Sequence, residues 1–99
     1  MGANMRFIWD PEKAETNLKN HGISFAEAME AFFDPNADED FDREHSDQEP
    51  RYDLIGFSSR RLLFVVFKEE MEEEDEVIRI ISARKAEKKQ RIKYEKRKG

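Results

Sequence analysis

Apolar positions along the chain shift between strand and helix periods, and each shift marks an element. Met5–Trp9 is a short apolar run that reads as a strand. Asp10-Pro11 follows as a helix N-cap with proline at the first helical position, where its missing N–H costs nothing. The spacing predicts a helix over Pro11–Asn20, stopped by Gly22. Ser24-Phe25-Ala26-Glu27 is a capping box for a second helix. Its apolar face is Phe25, Ala28, Met29, Phe32 and Phe33, and Asp34-Pro35 ends it.

The periodicity then changes. Asn36–Pro50 is acidic and reads mostly as loop, with a short edge strand around Ala37–Phe41. Arg51–Ser58 and Arg61–Lys68 form a hairpin turning near Ser58–Arg60. Leu62–Phe67 is apolar on both faces, which marks a central strand. Glu69–Glu76 holds seven acids and one Met and reads as a solvated loop, because like charges this dense repel. Val77–Ile81 is the next strand, and Ser82 caps a last helix over Ala83–Lys98. The fold class is α+β, an antiparallel sheet of about four strands with two N-terminal helices and one C-terminal helix. Residues 1–99 make one domain, with Met1–Asn4 an extension and residues 96–99 a basic tail.

Charge sharpens this outline. Residues 79–99 carry ten Lys/Arg against two Asp/Glu, a net of +8; residues 1–78 carry eight against twenty-one, a net of −13. A chain so polarised meets an anion at its basic end. With 37% hydrophobic residues the core is modest, and eight Phe, two Tyr and one Trp compensate. There is no cysteine, which excludes disulfides and Cys-ligated zinc or iron–sulfur sites. No apolar run approaches 18 residues, so a soluble, cytoplasmic protein without membrane contact is expected.

The candidate chemistry gathers where the last strand meets the last helix. Arg79, Arg84 and Lys85 bring three cations to that junction, a fit for phosphate. By alternation Arg79 opposes Ile78 and Ile80 and faces the open side of the sheet. Arg61 opens the neighbouring strand within reach of the same surface. Arg84 and Lys85, in a first helical turn, oppose the helix dipole, which suggests a visiting anion. His21 is the natural general base, because its ordinary pKa lies near 6.5; capping the first helix is its plainer role. His45 sits in the acidic loop, where a solvated or carboxylate-paired histidine is the plainer reading. Lys19, Lys88 and Lys89 are candidates for backbone contacts on a polyanion, against the plainer reading of a solvated basic face. No metal ligand set and no cofactor motif is evident.

The chain resembles the BrnT family of bacterial toxins, ribonucleases related in fold to the RelE-type toxins. The residues that carry the resemblance run from Phe7-Ile8-Trp9-Asp10, Lys13 and Asn17 through His21-Gly22-Ile23-Ser24-Phe25 and Glu27-Ala28. They continue through Asp34-Pro35, His45-Ser46, Glu49, Arg51, Ile55-Gly56 and Arg61-Leu62-Leu63 to Ile78-Arg79-Ile80-Ile81-Ser82-Ala83-Arg84-Lys85-Ala86. The resemblance implies a type II toxin that cleaves RNA and arrests translation. It also implies a ribbon-helix-helix antitoxin that sequesters the toxin and represses their shared promoter, so that promoter DNA is met only through the complex. A homodimer or a higher toxin–antitoxin assembly fits this picture.

Metal-free RNA cleavage needs an aligned 2′-hydroxyl, a base to take its proton, and cations on the phosphoryl oxygens. On this reading His21, Arg61, Arg79, Arg84 and Lys85 are the catalytic candidates, and Lys19, Lys88 and Lys89 contact RNA. The alternative is a non-catalytic binding module that uses the basic C-terminal helix on nucleic acid or an acidic protein. A purely structural interaction protein, its C-terminal cations paired with acidic loops, is the third reading.

Overall fold

A computed structural model describes residues 5–44 and 49–98. The elements in order are β1 (Met5–Ile8), α1 (Pro11–His21), α2 (Phe25–Ala31), β2 (Asp38–Phe41), β3 (Tyr52–Phe57), β4 (Leu62–Glu72), β5 (Asp75–Lys85) and α3 (Lys88–Lys98). The sheet has five strands in the order β1-β5-β4-β3-β2. Its other pairings are antiparallel as expected, but β1 runs parallel to β5, so the sheet is mixed. His45 and Met1–Asn4 lie outside the described residues.

The local signals at the N-terminal end act as read. The Asp10 carboxylate accepts from the Glu12 N–H, and Pro11 opens α1. Gly22 takes φ 70° and its N–H closes on the Leu18 carbonyl. The Ser24 hydroxyl accepts from the Glu27 N–H to start α2. The Glu27 carboxylate turns to Arg61 and Ser58.

α1 and α2 cover one face of the sheet. There Ile23, Phe25, Ala28 and Ala31 pack on Leu54, Leu63, Val65, Phe67, Ile78, Ile80 and Ala83. Trp9 meets Phe25 edge-on, and Phe32 meets both Phe7 and Phe67. Trp9 and Tyr52 pack against this core. α3 covers only one end of the opposite face, where Tyr94, 2% exposed, packs with Ile55, Leu62 and Ala86. The Tyr94 hydroxyl bonds to the Asp34 carboxylate at 2.6 Å, and burial together with that bond pushes its pKa up to about 12.

Two expected elements are corrected. Glu69–Glu76 is no loop: β4 runs to Glu72, β5 starts at Asp75, and Glu73-Glu74 connect them with Glu73 at φ 58°. Strand alternation sends successive carboxylates to opposite faces, and cations meet two of them, Arg6 at Glu72 and Arg79 at Glu70. The last helix begins at Lys88, not Ala83. Ser82, Ala83, Arg84 and Lys85 continue β5, paired with Val66, Val65, Phe64 and Leu63. Ser82 therefore caps no helix. The Gln90 side-chain oxygen accepts from the Glu87 N–H just ahead of α3.

Candidate functional site

Within β5 lies an irregularity that decides where the cations point. Phe67 pairs with Ile80 and Val66 with Ser82, which leaves Ile81 as an extra residue on β5. Such a bulge shifts the alternation by one position. Arg79 and Arg84 are five apart and would face opposite sides of a regular strand. The bulge turns both to the open face, with Ser82 between them. Their partners Lys68 and Phe64 are four residues apart on β4, about 13 Å at ordinary strand rise.

Asn17 holds this irregular segment in place. β1 pairs with β5 only as far as Arg79, so the β5 edge beyond needs another partner. The Asn17 side chain supplies it: its Oδ1 accepts from the Ala83 N–H at 3.0 Å, and its Nδ2 donates to the Ala83 carbonyl at 2.8 Å. The same Nδ2 donates to the Ile23 carbonyl at 2.9 Å. Asn17 is 5% exposed, so these bonds are shielded from water. One side chain thus ties α1, the turn into α2 and the strand that carries Ser82.

Around Arg79 the open face is cationic. A small cleft is lined by Asp10, Lys13, Arg51, Lys68, Arg79 and Ile81, with Ile80 behind them. Lys68 bonds to Glu49 at 2.9 Å, and Arg79 Nε bonds to Glu70 at 3.3 Å. The Lys68 hydrogen bond and charge hold the Glu49 carboxyl below its ordinary range, with Arg51 and Arg79 adding to the pull. A second groove of about 410 Å³ runs along α1 past Lys13, Thr16, Asn17 and Asn20 to His21, with Ile81 and Ser82 opposite. Asp10, Lys13 and Ile81 line both, so the two are continuous.

Around Arg84 the open face widens into a cleft of about 510 Å³ between the sheet and α3. The Arg84 guanidinium lies over the Phe64 ring, 4.7 Å from its centroid. Its Nη1 is buried without a hydrogen-bond partner, 3.6 Å from the Glu87 carboxylate. Lys89 and Lys93 line the same cleft, and Lys93 is paired with Asp40. Burial pushes the Asp53 carboxyl up, against the opposing charge of Lys93.

The structure places Arg79 and Arg84 on the open face either side of Ser82 and His21 in the groove that Ser82 also lines, while Arg61 donates to the Gly22 carbonyl beside His21 at 3.3 Å. Arg61 does not share the surface of Arg79. Its phase on β4 matches Leu63 and Val65, and its guanidinium meets Glu27 on the helix side at 2.8 and 2.9 Å. Lys85 pairs with Leu63 and also follows the helix-side phase, away from Arg84. Neither Arg84 nor Lys85 lies in a helical turn, so the dipole argument for them fails. Lys19 stands in the last turn of α1 with His21, and Lys88 and Lys89 open α3.

The residues that sequence reasoning left out of the site are Lys13, Asn17, Arg51, Lys68 and Phe64. Lys68 carried a signal, since it shares the alternation of Phe64 and Val66. Asn17, three residues after Ala14 on the inward stripe of α1, was a polar residue on a face meant for the core.

The family model for the ribonuclease toxin BrnT of type II toxin–antitoxin systems matches residues 9–90. The chain belongs to the BrnT family. No curated protein matches it. The matched span includes α1 with Asn17 and His21, the bulge at Ile81 and both open-face arginines, and it stops early in α3. As a BrnT member the chain is a ribonuclease toxin with an antitoxin for a partner. Among the described residues no helix is long and apolar enough to cross a membrane.

Proposed function

We propose that this BrnT toxin is a metal-independent endoribonuclease whose scissile phosphate lies over Ser82, between Arg79 and Arg84. The observation that carries the reading is the bulge at Ile81, which turns both guanidinium groups to one open face. Ser82 is two positions from each arginine in the β4 register, about 7 Å along the strand, within the length of an arginine side chain. Two forks converging from either side hold the nonbridging oxygens and meet the charge that grows on them. Lys68, Arg51 and Lys13 raise the potential around Arg79 without touching the reacting atoms.

His21 and Ser82 line one groove, so His21 is the base. The neutral imidazole takes the proton of the ribose 2′-hydroxyl. O2′ then attacks phosphorus in line with the departing O5′. The P–O5′ bond breaks, O5′ takes up a proton from water, and the products are a 2′,3′-cyclic phosphate and a 5′-hydroxyl. Lys19 and Lys89 hold flanking phosphates at the two ends of this track, and Lys88 adds charge beside Lys89. Arg61 and Lys85, on the helix side, serve folding and solubility. Cleavage of this kind stops translation in the cytoplasm. A ribbon-helix-helix antitoxin neutralises the toxin by covering the open face, and the pair binds its promoter.

The non-catalytic reading, in which α3 is the binding element, has less support. Two α3 cations are already engaged, Lys93 with Asp40 and Arg97 with Asp38. The test is cleavage of end-labelled single-stranded RNA in EDTA. Fragments with 2′,3′-cyclic phosphate ends are expected. Loss of cleavage in EDTA, or 5′-phosphate ends, would refute the mechanism.

A further inference from the structure

The cleft beside Arg84 has a composition that phosphate binding alone does not require. Its apolar side is Ile55, Phe64 and Val66 on the open face, and Asp42 and Glu44 line it beside Asp53. Arg84 stands at one side, its buried Nη1 without a hydrogen bond and 3.6 Å from Glu87. Asp53 stands at the other, half-buried, two strands away and one diagonal step along. Strand spacing puts the Asp53 and Arg84 Cα atoms about 12 Å apart, and the Arg84 guanidinium lies over Phe64 of the strand between them. A volume near 510 Å³ falls within the range of small-ligand pockets. A carboxylate facing the cleft opposes phosphate and favours a group that donates hydrogen bonds.

We infer that this cleft is a nucleobase subsite for guanine, with Asp53 and Arg84 reading the base, Val66 beneath it and Phe64 carrying the Arg84 guanidinium. A carboxylate offers two acceptor oxygens side by side. Guanine matches them with adjacent N1–H and N2–H donors on its pairing edge. Adenine, cytosine and uracil each place an acceptor beside their donor there, which leaves one carboxylate oxygen facing a lone pair. Guanine O6 lies next to N1 and accepts from the exposed edge of the Arg84 guanidinium, whose Nη1 is buried on the side of Glu87. Stacking on aromatic and guanidinium planes adds affinity without choosing the base. The subsite lies beside Ser82, so it sets which nucleotide flanks the scissile bond, and it rests on the open face being the RNA track.

The test uses labelled U-rich octamers with 2′-O-methyl sugars, which cannot be cleaved, carrying G, A, C or U at one central position. Binding to the full-length chain is read by fluorescence anisotropy. Wild type is expected to bind the G octamer about tenfold more tightly than the others, the discrimination of one bidentate base contact. Asp53→Asn, which keeps the side-chain shape, is expected to bring all four to within about twofold. Phe64→Leu is expected to weaken all four alike and keep their order. Equal binding of the four by wild type, or an unchanged G preference in Asp53→Asn, would overturn the subsite. Matched octamers with free 2′-hydroxyls are assayed in parallel, so that cleavage without base preference overturns the subsite alone, whereas no cleavage and no binding overturns the RNA-track reading as well.

Discussion

Replacing Asn17 by alanine removes one side chain and orphans three backbone groups. Ala83 loses partners for both its N–H and its carbonyl, and Ile23 loses one for its carbonyl. Ala83 is 1% exposed and Ile23 is fully buried. Each hydrogen bond contributes about 1 kcal/mol net, and an unsatisfied buried group costs at least as much. The expected loss is therefore about 3 kcal/mol. For a chain of this length that lowers the unfolding midpoint by roughly 12–24 °C. Circular dichroism melts of wild type and Asn17→Ala measure it, with Leu18→Ala, on the exposed side of α1, as a control expected to shift by less than about 0.5 kcal/mol. Cleavage by the folded fraction of Asn17→Ala should also fall, because Ala83 positions Ser82. A loss below about 1 kcal/mol would show that Asn17 does not hold the β5 edge, and the reasoning about the bulge would fail with it.

Three further outcomes follow from particular contacts. Gly56→Ala would put a Cβ 2.6 Å from the Ala31 carbonyl oxygen, a backbone atom that cannot swing away, so a loss of about 2 kcal/mol or more in urea unfolding is expected. Glu27 has its carboxyl lowered chiefly by the Arg61 hydrogen bond, so its folded pKa lies below the unfolded value. Its contribution is fully present above the unfolded pKa of about 4.3 and is lost as pH falls through the folded value. The stability gap between wild type and Glu27→Gln should therefore be wide at pH 7 and shrink below pH 4, as urea titrations at the two pH values would show. Glu73→Gly should stabilise the chain by about 1 kcal/mol, since glycine takes a φ of 58° without the Cβ strain and one charge leaves the hairpin tip; a lower midpoint would contradict this.

The sequence made the N-terminal half legible because its signals are local. Asp10-Pro11, Gly22 and Ser24 each act within four residues, and the structure shows all three in their expected roles. What the sequence hid depends on pairing partners far along the chain. The seven acids of 69–76 read as a repelling loop, but strand pairing separates them by face and brings Arg6 to Glu72. Ser82-Ala83 resembles a cap before a basic helix, but Val66 and Val65 across the ladder keep the segment extended. For the candidate site, Arg79 on the open face was readable from alternation with Ile78 and Ile80. Arg84 on that same face was not, because its direction depends on one extra residue, Ile81. Arg61 was misread for a related reason: its partner Glu27 lies 34 positions earlier, on a helix that crosses the other side of the sheet.

On the proposed mechanism one phosphate sits between two arginines brought to one face by a bulge. Single-turnover cleavage of one RNA by wild type, Arg79→Ala, Arg84→Ala and the double variant, all in EDTA and all checked for an unchanged melting midpoint, tests it most directly. Each single variant should lose about a hundredfold in rate, as expected for removing one charge-stabilising donor, and the double variant should show no cleavage above background. Full cleavage by the folded double variant would contradict the claim and move the reaction away from Ser82.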